Sequence, residues 1–170
     1  MVRGALAVTQ EELLTGRYDS REPGVKPSFW RRLLVVARIP MARATEDRQL
    51  SPHFRLAEFH CRDGTAVPQD AMPALLRLCA EILEPLRERF GVCTVVSGYR
   101  HAAYNSRVGG ARFSQHIYDL HPSSVAADLI FASGRPSEWA DAAEPLCEQG
   151  GLGRYPGFIH VDNRGTRARW

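Results

Sequence analysis

Lysine is all but missing from the chain. Lys26 is the only one and arginine supplies every other basic residue, a bias that speaks of genome composition more than of chemistry. Among the four cysteines, Cys61, Cys79, Cys93 and Cys147, no two stand in C-x-x-C spacing, which removes a zinc ribbon and a thioredoxin-type redox site. An even count permits two disulfides, yet a core of this size does not need them. Cys79 on a helical apolar stripe and Cys93 at the head of an apolar strand read as buried free thiols. No apolar run in Met1 to Gln10 has signal-peptide length, and Leu33 to Ala37 is far too short to cross a bilayer, so neither an export signal of the cleavable type nor a membrane span is expected. Internal repeats, low-complexity tracts and a basic-aromatic platform for nucleic acid are also lacking.

What is present fits one domain with an extension. With 170 residues, 44% hydrophobic and 24% charged, the chain can build one sizeable core and does not require two. The formal charge of +3 sits at the front: residues 1–50 carry nine Arg or Lys against six Asp or Glu, and residues 51–170 carry thirteen of each. Residues 1–49 read as an N-terminal extension and 50–170 as the domain. In the extension, Thr9 to Glu12 resembles a capping box, Tyr18 to Pro27 a linker, and Trp30 to Met41 an amphipathic segment suited to docking or to packing along the domain.

Within the domain, Leu75, Cys79, Ile82, Leu83, Leu86 and Phe90 recur at helical spacing, which predicts a core helix over 69–90, kinked or split by Pro85 and stopped by Gly91. Val92 to Ser97 reads as a strand and His101 to Val108 as a short helix ended by Gly109-Gly110. Further on, 125–131 reads as a strand and Pro136 to Cys147 as a helix. Gly150 to Gly153 is expected to break the chain, 158–162 to form a strand, and Thr166 to Trp170 to return as its hairpin partner. Strands joined by both helices and hairpins argue for an α+β fold.

Three of the six histidines and two aspartates lie beside glycine-rich turns or on these short strands, where rigid backbone can fix a metal site. Zinc takes imidazole nitrogen and carboxylate oxygen, and a catalytic site keeps its fourth position open. Strand alternation places Asp128 on one face with Ala126 and Ile130, and an ionised carboxylate there has to be paired, hydrogen-bonded or metal-bound. The same alternation puts Phe158, His160 and Asp162 together. On spacing alone Asp162 is equally a carboxylate that orients His160 and a general base. His53, His60 and Cys61 lack a partner at ligand spacing and read as structural.

Six strings in order, Ser97-Gly-Tyr-Arg100, Val108-Gly-Gly-Ala111, Ser114-Gln-His116, Ala126-Ala-Asp128, Gly151-Leu-Gly-Arg-Tyr-Pro156 and His160-Val-Asp162, resemble the zinc D-Ala-D-Ala carboxypeptidase family. They are closest to its short peptidoglycan-peptidase branch, which often ends in a hairpin like Arg167 to Trp170. The resemblance spans about Leu50 to Trp170. It implies the Hedgehog/DD-peptidase fold, α+β with a small antiparallel sheet flanked by helices, and Zn2+ held by His116, Asp128 and His160. It also implies substrate or oxyanion contacts from Arg100 and Ser114, to which Tyr99 at the same strand end is added. Two departures stand out. The family's first histidine usually precedes the aspartate by seven positions, the place of His121, although register from Val108-Gly-Gly110 selects His116. The two places where relatives carry a catalytic Glu, Asp or His hold Gly157 and Phe158, which leaves Asp162 as the best candidate base.

The resemblance therefore implies a zinc-dependent peptidoglycan peptidase, a D,D-carboxypeptidase or endopeptidase acting on murein stem peptides or cross-links at the bacterial cell wall. Without an export signal, delivery as a phage tail, lysis or injection-machine component is expected, with residues 1–50 as the docking part. The alternative is a non-catalytic wall-binding or structural module on the same fold.

Overall fold

The apolar stripe of the long helix is met by the structure with one irregularity. A 3-10 turn, Gln69–Ala71, leads into α1 (Met72–Leu78), a π turn (Cys79–Leu83) and α2 (Glu84–Phe90) as one continuous run. Proline lacks an N–H, and its ring collides with the carbonyl four residues back in a regular α-helix. The wide turn just ahead, closed by the Glu84 N–H on the Cys79 carbonyl, absorbs Pro85, so the run is neither split nor broken. Leu75, Leu78, Cys79, Ile82, Leu83 and Leu86 are buried along it. Gly91, at φ +79°, ends it.

The computed structural model describes residues 47–170. The capping box at Thr9, the linker and the amphipathic segment Trp30 to Met41 lie outside the described residues. Among the described residues no helix is long and apolar enough to cross a membrane. The remaining elements are β1 (Cys93–Ser97), α3 (Ala102–Arg107), β2 (Ala126–Phe131), α4 (Pro136–Ala143), β3 (Gly151–Arg154), β4 (Ile159–Asp162) and β5 (Ala168–Arg169). The fold is α+β, with a five-stranded sheet in the order β1-β2-β4-β3-β5.

Two expectations at the carboxy-terminal end are corrected. Gly151 to Gly153 does not break the chain but forms β3, antiparallel to β4. Residues 168–169 do not pair with β4 as a hairpin. They lie parallel to β3, so the sheet is mixed. Both edges of β4 are occupied, by β2 on one side and β3 on the other, so the returning chain adds at the free edge of β3 instead. Arg169 locks it there, donating to the carbonyls of Gly150 and Cys147 and to Glu144.

Alternation divides the sheet into two faces. Cys93, Val95, Ala127, Leu129, Phe131, Leu152, Ile159 and Val161 are buried and join the long helix and Trp139 of α4 in one core. The other face carries Asp128, His160 and Asp162, directly opposed across β2 and β4 as Asp128 to His160 and Ala126 to Asp162. A bulge between Val95 and Ser97 sets Ser97 opposite Asp128 on that face, where strict alternation would have put Val96. All four cysteines are buried and unpaired, Cys79 and Cys147 with thiols that burial pushes up to about 12.

His53 and His60 are structural. His60 Nδ1 accepts the Val67 N–H, and buried Glu84 accepts the N–H of His53 at 2.8 Å and its Nδ1–H at 2.6 Å. Burial works to raise the Glu84 carboxyl, but the Ser51 hydroxyl beside it and the bonds from His53 together outweigh burial and hold it below the usual range. Its folded-state pKa is thus below the unfolded value of about 4.3, so the contact stabilises above that value and fades as pH falls through the folded one. Glu84→Gln is expected to cost about 1 to 3 kcal/mol at neutral pH, a gap that narrows below about pH 4. Urea denaturation of both proteins across a pH series reads this, and a gap independent of pH contradicts it.

Candidate metal centre

Each of three side chains reaches the centre from a segment whose local sequence leaves it little freedom. His116 follows the glycine turn. Gly109, at φ +75°, takes a conformation L residues avoid, and at Gly110 a Cβ would lie within 2.1 Å of Asn105 Oδ1. The turn is tied down by the Asn105 side-chain amide, which donates to the Ala111 carbonyl at 2.9 Å. Arg100 then donates its backbone N–H to the His116 carbonyl at 2.8 Å. Gly98 fits where a Cβ would stand 2.7 Å from the backbone of Phe59, so the Ser97 to Arg100 segment can press against the turn Leu56–Phe59. Asp128 and His160 come from facing positions of β2 and β4.

His116 Nε2, Asp128 Oδ1 and His160 Nδ1 converge. The distances are 3.2 Å from His116 to Asp128, 3.2 Å between the imidazole nitrogens and 3.0 Å from His160 to Asp128. All three residues are buried. The opposite nitrogen of each ring fixes its tautomer. His116 Nδ1 stands 2.7 Å from the Gly98 carbonyl, which can only accept, so Nδ1 carries the hydrogen and Nε2 a lone pair. His160 Nε2 stands 3.0 Å from the Asp162 carboxylate, so its lone pair falls on Nδ1.

Three lone-pair atoms therefore face one another with no hydrogen between the two rings, an arrangement that a cation resolves. Donors on a tetrahedral zinc at about 2.0 to 2.2 Å stand about 3.3 to 3.6 Å apart, close to the observed spacing, and the residues fit the ion. Burial pushes the Asp128 carboxyl up, but His116 and His160 outweigh it and hold it far below the usual range. Burial prevails at His116 and lowers its pKa; at His160 the carboxylates of Asp128 and Asp162 overcome burial and raise it.

The other predicted residues are placed as follows. Arg100 is buried, its Nη2 donating to Asp128 Oδ2 at 2.8 Å and its Nε to Ser97 Oγ at 2.8 Å. Ser114 Oγ accepts the His116 N–H at 3.3 Å and shapes the turn that presents it. Tyr99 is buried against Tyr118, and its hydroxyl donates to Asp119 at 2.7 Å. Asp162 is fully buried on the far side of the His160 ring. It accepts from Gly151 N–H at 2.9 Å and from Arg164 Nε at 2.8 Å, with Arg164 Nη2 a further donor. Burial raises the Asp162 carboxyl, and His160 and Arg164 pull it well below the usual range. His121 lies in the loop 118–124, its Nε2 buried without a hydrogen-bond partner and apart from the converging group. Sequence reasoning missed Arg164, the Gly98 carbonyl and the Gly151 N–H. An arginine two residues after Asp162 was a visible signal; the two backbone groups left none.

One other potential ligand group occurs among the described residues, Cys61, Asp63 and His101. Its donors are already engaged. His101 Nδ1 caps α3 by accepting the Tyr104 N–H at 3.3 Å, so its Nε2 carries a hydrogen and donates to Asp63 Oδ2 at 2.7 Å. Asp63 Oδ1 accepts the N–H and hydroxyl of Thr65. This is a satisfied staple between a loop and α3.

The fold and the His-Asp-His group thus define an α+β domain with a buried candidate metal centre at the face of its sheet. A family model for Peptidase M15 matches residues 52–162, and the chain belongs to that family, the zinc D-Ala-D-Ala carboxypeptidase-like peptidases. No curated protein and no solved structure matches it.

Because Asp162 holds His160 by its far nitrogen, Asp162→Asn is expected to weaken zinc binding about 10- to 100-fold. His121→Ala is expected to leave it unchanged. Competition against a chromophoric chelator reads both, and the reverse order of effects would assign the ligand role to His121.

Proposed function

We propose that this protein is a zinc-dependent peptidoglycan peptidase, hydrolysing peptide bonds of murein stem peptides or cross-links. The observation that carries the reading is the convergence of three lone-pair donors, with tautomers held from behind, in a domain of the M15 family. When bound, zinc supplies Lewis acidity, polarising a carbonyl and lowering the pKa of water to about 7.

The chain's own residues do the rest. Gly98 and Asp162 keep the two imidazoles turned inward. Arg100 occupies Asp128 Oδ2, so that Oδ1 is the oxygen offered to the centre, and it sets a permanent cation beside the place where a carbonyl oxygen gains charge. Asp162, locked by Arg164 and Gly151, acts in this reading as the orienter of His160 and not as a mobile proton carrier. With Gly157 and Phe158 in the positions just before the last ligand, proton transfer falls to water, and turnover is slow.

The absence of a carboxylate at 157 or 158 also favours a second reading, a wall-binding module that keeps the fold. Delivery by a phage tail, lysis or injection machine, with residues 1–49 as the docking segment, remains part of the proposal, and removal of that segment is expected to spare hydrolysis. Zinc-loaded protein is expected to release soluble muropeptides or free alanine from purified peptidoglycan, with chelator or His160→Ala each abolishing the release. Chromatography of the digest measures it. Activity that survives both treatments rejects the mechanism, and stoichiometric zinc with no cleavage supports the module.

A further inference from the structure

Trp170 is bonded at its backbone N–H, its carbonyl and its indole N–H, yet stays about half exposed, at 48%. Its backbone is paired to β3 on both sides, N–H to the Leu152 carbonyl and carbonyl to the Arg154 N–H. The indole Nε1–H donates to the Tyr155 hydroxyl at 2.7 Å, and Tyr155 is itself stacked on Phe158 at 4.3 Å between ring centroids. The Arg164 guanidinium lies 5.3 Å from the indole ring. The ring stands 5.1 Å from that of His160, the nearest ligand strand of the centre.

The sheet has been shaped to admit it. Gly153 is the cross-strand neighbour of His160, and a Cβ there would meet the indole at 2.7 Å and the Tyr155 ring at 2.9 Å. A glycine that surrenders side-chain packing in a strand marks a close approach. What approaches here is a rigid aromatic plate beside the metal group, with much of its surface turned to solvent. Rigid, partly exposed aromatics bind well because little rotamer freedom is lost on contact.

We propose that Trp170, oriented by Tyr155, is the wall of the substrate subsite next to the centre, taking the planar amide and alanine methyl that flank the scissile bond. This rests on the peptidase reading given above. Trp170 is then a specificity-determining residue that contributes to binding, and Tyr155 is a positioning residue that acts through it.

The test uses the zinc-loaded full chain. Trp170→Ala is expected to raise KM for a murein pentapeptide about tenfold with kcat little changed, and Trp170→Phe and Tyr155→Phe to fall between it and the parent. Zinc content should be the same in all four proteins, a readout that a merely structural role at His160 would disturb. Independently of turnover, the chain has three tryptophans, hence three indole N–H signals, and Trp170→Phe assigns the one of interest. Adding the pentapeptide should shift that signal and leave the signal of buried Trp139 in place. A digesting enzyme whose KM ignores Trp170→Ala and whose indole signal does not move overturns the subsite alone. A protein that digests nothing but shows the indole shift keeps the subsite and loses the peptidase reading. Neither digestion nor shift removes both.

Discussion

The opposition of Asp128 and His160 across the antiparallel pair β2 and β4 is the constraint from which the site follows. In antiparallel pairing, residues directly opposite project from the same face, so one register sets a carboxylate and an imidazole side by side. The row continues across the sheet in both directions. Ser97, brought in by the bulge of β1, takes Arg100, and Gly153 of β3 leaves room for Trp170. A slip of one residue between β2 and β4 would turn Asp128 into the core and send Ala127 to the site. The buried residues of the other face, Val95, Leu129, Ile159, Val161 and Leu152, prevent it.

Charge is arranged around this row so that each buried group has an answer. Asp128 divides its two oxygens between the imidazoles and Arg100, and Asp162 divides its own between His160, Gly151 and Arg164. Buried ions left unpaired would be costly, so each guanidinium is a condition for keeping the carboxylate it faces ionised in the fold. The result is two carboxylates, two guanidiniums and two imidazoles with one place left for a cation, between His116, Asp128 and His160. A cation held there would replace, by its attraction to Asp128 Oδ1 and the two lone pairs, the repulsion those atoms otherwise suffer.

Much of this could be read in the chain before its structure was known. Alternation in 125–131 set Asp128 on one face of its strand, and alternation in 158–162 put His160 and Asp162 together on a face of theirs, because strand period is local and the apolar neighbours are strongly patterned; that the two faces coincide follows from the pairing of β2 with β4. The long helix was equally plain, except that periodicity cannot tell a kink at Pro85 from the π turn that absorbs it. The β3 and β5 strands were misread for a clear reason. Glycine weakens any strand signal, and the glycines here exist to admit Asp162 and Trp170, partners distant in sequence at that end of the sheet. The pairing of β5 with β3 depends on which edge is free, a property of the assembled sheet that no local pattern carries. Likewise no local pattern around Tyr99 and Ser114 carries the partners the fold gives them, Asp119 and the His116 N–H.

Anomalous diffraction at the zinc edge, on crystals of the zinc-loaded protein, bears most directly on the central assertion. A single strong peak is expected within coordination distance of His116 Nε2, Asp128 Oδ1 and His160 Nδ1. A peak bound instead by His121, or by Cys61, Asp63 and His101 with the His-Asp-His group left bare, would contradict it.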